Sequence, residues 1–368
     1  MDHIPAFLLS FLVTLALLWL LPPVARRIGF VDKPGGRKKH RGSIPLIGGV
    51  AMYAGTLTAL WLTQESFEGF LGLLVGGGLL LLVGSIDDKL NLSAASRFVA
   101  QISAVFIAMY FDQLMLNHLG NLVGLGQLQL GWAILPVTLI AVVGVINALN
   151  MSDGMDGLAG GLSLVTLASL TLVALYFGHF EQAFLLPVLI GAVLAFLTRN
   201  MRTRRHKQAS VFMGDGGSMF LGFAIAWLVI QASQAPASGF APVNALWIFA
   251  LPLLDTVCVM LRRLIKGRSP FAPDREHFHH ILLVAGYSVR RSVLIMLALA
   301  SLLASAGLLA QALGVPESWQ FAAFLALFGI YFWGMSHAWK VMKAIRPASP
   351  PSAGGSDSFI HPVKRSRR

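Results

Sequence analysis

The chain holds 368 residues, of which 56 % belong to the AVILMFWYC set and only 12 % are charged, and its mean hydropathy is +0.72. A soluble domain carries roughly 25 % charged residues, so this share cannot coat a water-soluble globule; disorder needs low hydrophobicity, and a disulfide framework needs more than the single Cys258. Net charge is +12, from 28 Lys and Arg against 16 Asp and Glu, and in so apolar a chain it reads as membrane topology before nucleic-acid binding.

A helix crosses a bilayer with about 20 mostly apolar residues. Eleven stretches qualify: 4–24, 45–63, 70–86, 97–112, 131–149, 158–177, 182–198, 211–231, 242–261, 292–313 and 319–338. The expected fold is all-α, a polytopic integral membrane protein of about 11 transmembrane helices. The first stretch is expected to stay as a span, because nothing basic precedes it and its apolar run is too long for a cleaved signal. Gly72 and Gly76, four apart in the third stretch, predict close helix packing.

The connections 25–44, 87–97, 199–210 and 262–291 and the tail after 338 hold 7, 2, 5, 7 and 7 basic residues, which is every Lys and Arg in the chain. All lie on alternate connections, so all share one side. The positive-inside rule makes that side cytoplasmic, with the N-terminus periplasmic and the C-terminus cytoplasmic. Two parts are expected: a membrane-embedded domain, 1–338, and a basic flexible cytoplasmic tail, 339–368, with the low-complexity stretch PASPPSAGGSDS at 347–358. The basic clusters also suit attraction to anionic lipid.

Carboxylates beside apolar helices are costly and point to function. In chain order the first are Asp87 and Asp88, adjacent like charges at the inner end of the third stretch, which a cation would relieve. Next come Asn147, Asn150, Asp153 and Asp156, spaced by three and so on one helix face, with Gly154 and Gly157 allowing close approach. Gly214-Asp215-Gly-Gly-Ser218 opens a new span: an N-cap, or glycine-flanked amides for phosphate with Asp215 as a ligand for a hard metal ion. Asp255 lies about two helical turns deep, seven residues before Arg262. The longest inner loop carries Asp274, Glu276, His277, His279 and His280. With no cysteine near, these histidines suit hydrogen bonding to phosphate better than zinc. Arg262 and Arg263, and Arg37, Lys38, Lys39 and Arg41 of the first loop, could clamp an anion. Together these residues suit magnesium, a nucleotide diphosphate and an interfacial lipid substrate. A proton-coupled transporter or lipid flippase, the rival reading, would want acids at mid-bilayer, where only Asp255 is a candidate.

The ordered motifs Asp87-Asp88, NxxNMSDGMDGLAGG at 147–161, FMGDGGS at 212–218, LPLLDT at 251–256 and DREHFHH at 274–280 resemble those of the polyprenyl-phosphate N-acetylhexosamine-1-phosphate transferases. The likeness runs from VDKPGGRKKHRGSIPLIGG at 31–49 to about residue 338, nearly the whole chain. It is strongest to the WecA-type branch; Phe278 interrupts the three consecutive histidines usual in the MraY-type branch. The resemblance implies a magnesium-dependent transfer of N-acetylglucosamine 1-phosphate from UDP-N-acetylglucosamine to undecaprenyl phosphate, releasing UMP. This would be a first membrane step toward a cell-surface polysaccharide such as O-antigen, at the cytoplasmic face of a bacterial inner membrane. Mg2+ is the implied cofactor, with Mn2+ an allowed substitute. Partners are the two substrates and membrane lipid, with no nucleic acid; a homodimer is compatible. By position the resemblance puts Asp87, Asp88 and Asp215 at the metal and reaction centre, with His279 and His280 catalytic. Asn150, Asp153, Asp156, Arg262, His277 and Lys38 would bind substrate. Many relatives have a proline between the Asn and the GDxGS motif; Asn200 lacks it, which argues against a nucleotide role for that side chain.

Overall fold

The computed structural model describes residues 3–33, 42–64, 66–178, 180–203, 207–235, 239–269 and 276–345, with side chains to 337. The chain opens with α1 (His3–Arg27) and a two-residue ribbon in which β1 (Val31–Asp32) pairs antiparallel with β2 (Ile44–Pro45). Helices α2 (Gly48–Thr63), α3 (Leu71–Leu90), α4 (Ala94–Asp112), α5 (Ile134–Ser152), α6 (Leu158–Tyr176), α7 (Leu185–Asn200) and α8 (Gly214–Gln234) follow. Then come α9 (Val243–Ile248), α10 (Ala250–Ile265), the short α11 (Phe278–Val284), α12 (Val289–Ala312) and α13 (Glu317–Ile345). The all-α expectation holds apart from the ribbon, which takes Pro45, the first residue of the predicted 45–63 stretch; α2 starts at Gly48.

Nine helices among the described residues are long and apolar enough to cross a membrane. The other two predicted stretches are helical but shorter. Helix α2 has 16 residues, and the 242–261 stretch, read as continuous, is broken at Phe249 into α9 and α10. Pro252 explains the break. A proline ring clashes with the carbonyl four residues back and has no N–H to offer it. That carbonyl, on Ile248, accepts from Thr166 Oγ1 at 3.2 Å instead. Helix α13 passes the expected 338 boundary and runs to Ile345.

Helix α8 is the axis of the bundle: 89 % of its most apolar stretch is buried, against 22 % for α1. Trp227, Phe220 and Phe223 fill its middle. Near its start bulk disappears. Gly216 meets Gly84 of α3, and Gly217 meets Gly49 of α2, so closely that a Cβ on any of them would strike backbone. Small residues let helices touch main chain to main chain where dispersion and packing, rather than water exclusion, drive association. Gly72 and Gly76 do the same along α3, against Asp112 and Ala108 of α4 and against Phe223. This seam fixes the ends of α2, α3 and α8 at one level, where the basic connections also lie.

Candidate active site

At that level the end of α3 meets the start of α8. The backbone N–H of Asp215 donates to both carboxylate oxygens of Asp88, at 3.1 and 3.0 Å. Gly214, the first residue of α8, has φ +77, and a Cβ there would stand 2.6 Å from Asp88 Oδ2. Glycine meets both demands, the left-handed backbone and the close carboxylate. From α5, Asn150 Nδ2 donates to Asp215 Oδ1 at 3.0 Å and to Ser218 Oγ at 2.9 Å. Three distant stretches therefore join in one hydrogen-bonded set.

Asp87 plays a different part from Asp88. It is 5 % exposed; its Oδ1 accepts from the Leu92 N–H at 2.6 Å, and its Oδ2 pairs with Arg97 at 3.3 Å. It ties the turn after α3 to the start of α4. Its charge, and that of Arg97, still bear on Asp215. Arg97 is a site residue that the sequence reading counted only as a topology marker; its tie to Asp87 spans a helix-to-helix turn.

The carboxylate of Asp153, just beyond α5, makes no hydrogen bond or ion pair among the described residues, although its backbone N–H donates to the Asn150 carbonyl at 3.2 Å. Burial first, and then the charges of Asp215, Asp88 and Asp156, push its carboxyl well above the ordinary carboxylate range. Asp156 is better served: its Oδ2 accepts from Arg202 Nε at 2.6 Å and from the Ala209 N–H at 3.1 Å. Asn200 is spent on structure, accepting from the Gly157 N–H at 2.7 Å and donating to the Val211 carbonyl at 2.9 Å. Both residues hold the connection after α7 against the turn after α5.

The histidine loop packs against Gly154, the residue after Asp153. His279 is 2 % exposed, and neither ring nitrogen has a hydrogen-bond partner among the described residues. A Cβ on Gly154 would sit 2.5 Å from its Nε2, so the bare glycine makes room for an imidazole. Burial and the neighbouring His280 push His279 down to about 3, which keeps the ring neutral. It stacks on His277 at 5.7 Å and contacts His280 at 4.1 Å. Asp255 anchors this loop: Oδ2 is 2.9 Å from His277 Nδ1, while Oδ1 accepts from the Phe278 N–H and from Tyr331 Oη, each at 2.9 Å. The one deep carboxylate that a transporter would need is thus fully engaged. Arg262 pairs with Glu276 at 2.9 Å, as does Lys266, though Arg262 Nη1 is buried with no partner among the described residues. Lys38, Arg37, Lys39, Arg41 and Asp274 lie outside the described residues.

The glycines of GDGGS do not form an open phosphate cradle: Gly216 and Gly217 are packed against Gly84 and Gly49, and the Asp215 amide is taken by Asp88. Among the described residues no three metal-type side chains already enclose an ion position. The donors nonetheless suit magnesium, which is commonly held by one or two carboxylates with waters and substrate phosphates completing its shell. Asp153, unpartnered among three like charges, is the side chain a cation would relieve.

Carboxylates from three connections, gathered beside a buried neutral histidine at one end of an apolar bundle, define an integral-membrane enzyme. The model of glycosyl transferase family 4 matches residues 70–233. The chain is 38 % identical over 339 residues to the undecaprenyl-phosphate alpha-N-acetylglucosaminyl 1-phosphate transferase of Escherichia coli K12, covering 91 % of this chain and 92 % of that one. Identity is 39 % to the enzyme of that name from Yersinia pestis, with the same coverage, and 38 % over 341 residues to that of Pasteurella multocida, covering 93 % and 96 %. The chain belongs to this transferase family, as its motifs led one to expect.

Proposed function

We propose that this chain transfers N-acetylglucosamine 1-phosphate from UDP-N-acetylglucosamine to undecaprenyl phosphate, giving undecaprenyl-diphospho-N-acetylglucosamine and UMP. Relatives bearing that name match nearly end to end. The observation that carries the reading is the meeting of Asp88, Asn150 and Asp215 next to an unpartnered Asp153. Phosphoryl transfer asks mainly for positioning and charge neutralisation, and this cluster offers oxygen donors on a rigid frame.

The reaction is a direct displacement: the lipid phosphate oxygen attacks the β-phosphorus, and UMP leaves. Mg2+, held by Asp215 and Asp153 with Asp88 adjoining, would supply charge neutralisation for the diphosphate. Mn2+ fits the same donors. Asp88 fixes the Asp215 main chain. As a base it would add little, because a phosphate monoester with a second pKa of about 6 is already mostly dianionic at neutral pH. His279, neutral and buried, donates one N–H to a phosphate oxygen. Asp255 and Tyr331 set the loop that presents it.

The spans number eleven in this reading, with α2 and the broken α9–α10 pair crossing as well as the nine longer helices. The N-terminus is then periplasmic, and the acid cluster faces the cytoplasm of a bacterial inner membrane, where nucleotide sugars are made. Purified protein given UDP-N-acetylglucosamine, undecaprenyl phosphate and Mg2+ is expected to release UMP, and EDTA to stop it. No UMP under these conditions would overturn the assignment. Replacing the donor by UDP-N-acetylgalactosamine in that assay reads the sugar specificity.

A further inference from the structure

A cavity of about 150 Å3 opens beside the acid cluster, between the end of α7 and the start of α12. Its polar lining is Arg202, Arg290, Thr203 and Asp156; its apolar lining is Met201, Val293 and Leu294. Two arginines line it against one carboxylate, and Arg202 already holds that carboxylate at 2.6 Å. Arg290 is exposed and makes no ion pair among the described residues. It stands in the first turn of α12 beside Arg291, with no acidic residue in that turn. Cations there oppose the positive end of the helix dipole, so the position is electrostatically unfavourable until an anion arrives. The apolar side is as telling. Val293 is buried, while Leu294 is 51 % exposed on a helix of spanning length. A free ion would gain nothing from that wall.

We propose that this cavity docks the phosphate of an anionic phospholipid, with Arg202 and Arg290 gripping the headgroup and the first acyl carbons lying along Leu294. The site lies where α7 ends and α12 begins, which is headgroup level if those helices span the bilayer. Anionic leaflets favour such clustered cations. Because Arg202 also holds Asp156, occupancy would feed into the acid cluster, making the enzyme responsive to lipid composition. That consequence rests on the transferase reading; the docking itself does not.

The test uses the full chain in nanodiscs of phosphatidylcholine with or without phosphatidylglycerol. Native mass spectrometry of protein released from the mixed discs is expected to show phosphatidylglycerol retained in preference to phosphatidylcholine. Arg290→Gln should weaken that retention about fivefold, the factor one surface cation contributes near an anionic leaflet, and Arg290→Lys should largely preserve it. Leu294→Asp, which sets a like charge against the phosphate, serves as the second probe should Arg290→Gln fail to fold. Phosphatidylglycerol should also raise UMP release in the wild type and do so less in Arg290→Gln, with the rate in pure phosphatidylcholine unchanged. Equal retention by wild type and Arg290→Gln overturns the site. So does competition by millimolar inorganic phosphate, which would mean a headgroup-only anion site. A raised KM for undecaprenyl phosphate with retention intact would hand the pocket to the acceptor lipid instead. If no disc yields UMP, the transferase reading falls while retention still judges the pocket.

Discussion

Two carboxylates at opposite ends of the bundle have opposite lives. Asp112, at the end of α4, is 8 % exposed and fully employed: it accepts from the N–H groups of Gly72 and Leu73 at 2.8 Å each and from Trp227 Nε1 at 2.8 Å. It caps the start of α3, satisfying two of the amides that every helix leaves open. Asp153 has the same chemistry, yet among the described residues nothing donates to its carboxylate, and three further carboxylates act on it. An acid that the fold has already satisfied stabilises structure. An acid left hungry marks the place where something else must bind.

That contrast can be broken by mutation. The largest effect is expected at Asp215: Asp215→Asn should cut UMP release by about 10^3-fold, as for loss of a principal electrostatic stabiliser, with thermal stability little changed. Should activity survive, the acid cluster is not the reacting centre. His279→Ala should cost about 10^2-fold in kcat; His279→Gln, which keeps a donor, should recover part of it. Asp112→Ala should do the reverse. Orphaning three donors should lower stability by about 1–3 kcal/mol, while turnover per folded molecule stays near wild type.

The smallest effect is the pH dependence of stability in metal-free protein, followed by thermal melts. Asp153 has a raised folded-state value, so its charged form disfavours folding, and its contribution is lost as pH rises above the ordinary carboxylate range. Asp153→Asn should flatten that fall, and Mg2+ should do so for the wild type. His279 acts in the opposite direction. Its value drops from 6.5 to about 3 on folding, so its contribution is lost as pH falls through that window. An Mg2+-insensitive melting curve would argue that Asp153 is not the ion's partner.

The helices were legible because span length and the segregation of Lys and Arg are written locally. The helix break at Phe249 was legible too, in Pro252, but the apolar run around it masked the signal. At the site, residue types and motifs could be read, whereas their division of labour could not. Asp87 and Asp88 are neighbours in sequence, yet one bonds Leu92 and Arg97 while the other grips an amide 127 residues away. Asp255 was read as a lone deep charge; its partners His277, Phe278 and Tyr331 lie 22, 23 and 76 residues on. Such pairings depend on how helices lie side by side, which periodicity does not encode.

The seam where Gly49, Gly84, Gly216 and Gly217 meet divides the labour mechanically. With no side chains between them, the main chains at this seam cannot slide past one another without collision, so the Asp88–Asp215 contact beside it stands on stiff footing. Across from it the seven-residue α11 is held twice, by Asp255 at its start and by Leu282 in an apolar cluster with Val293 and Met296.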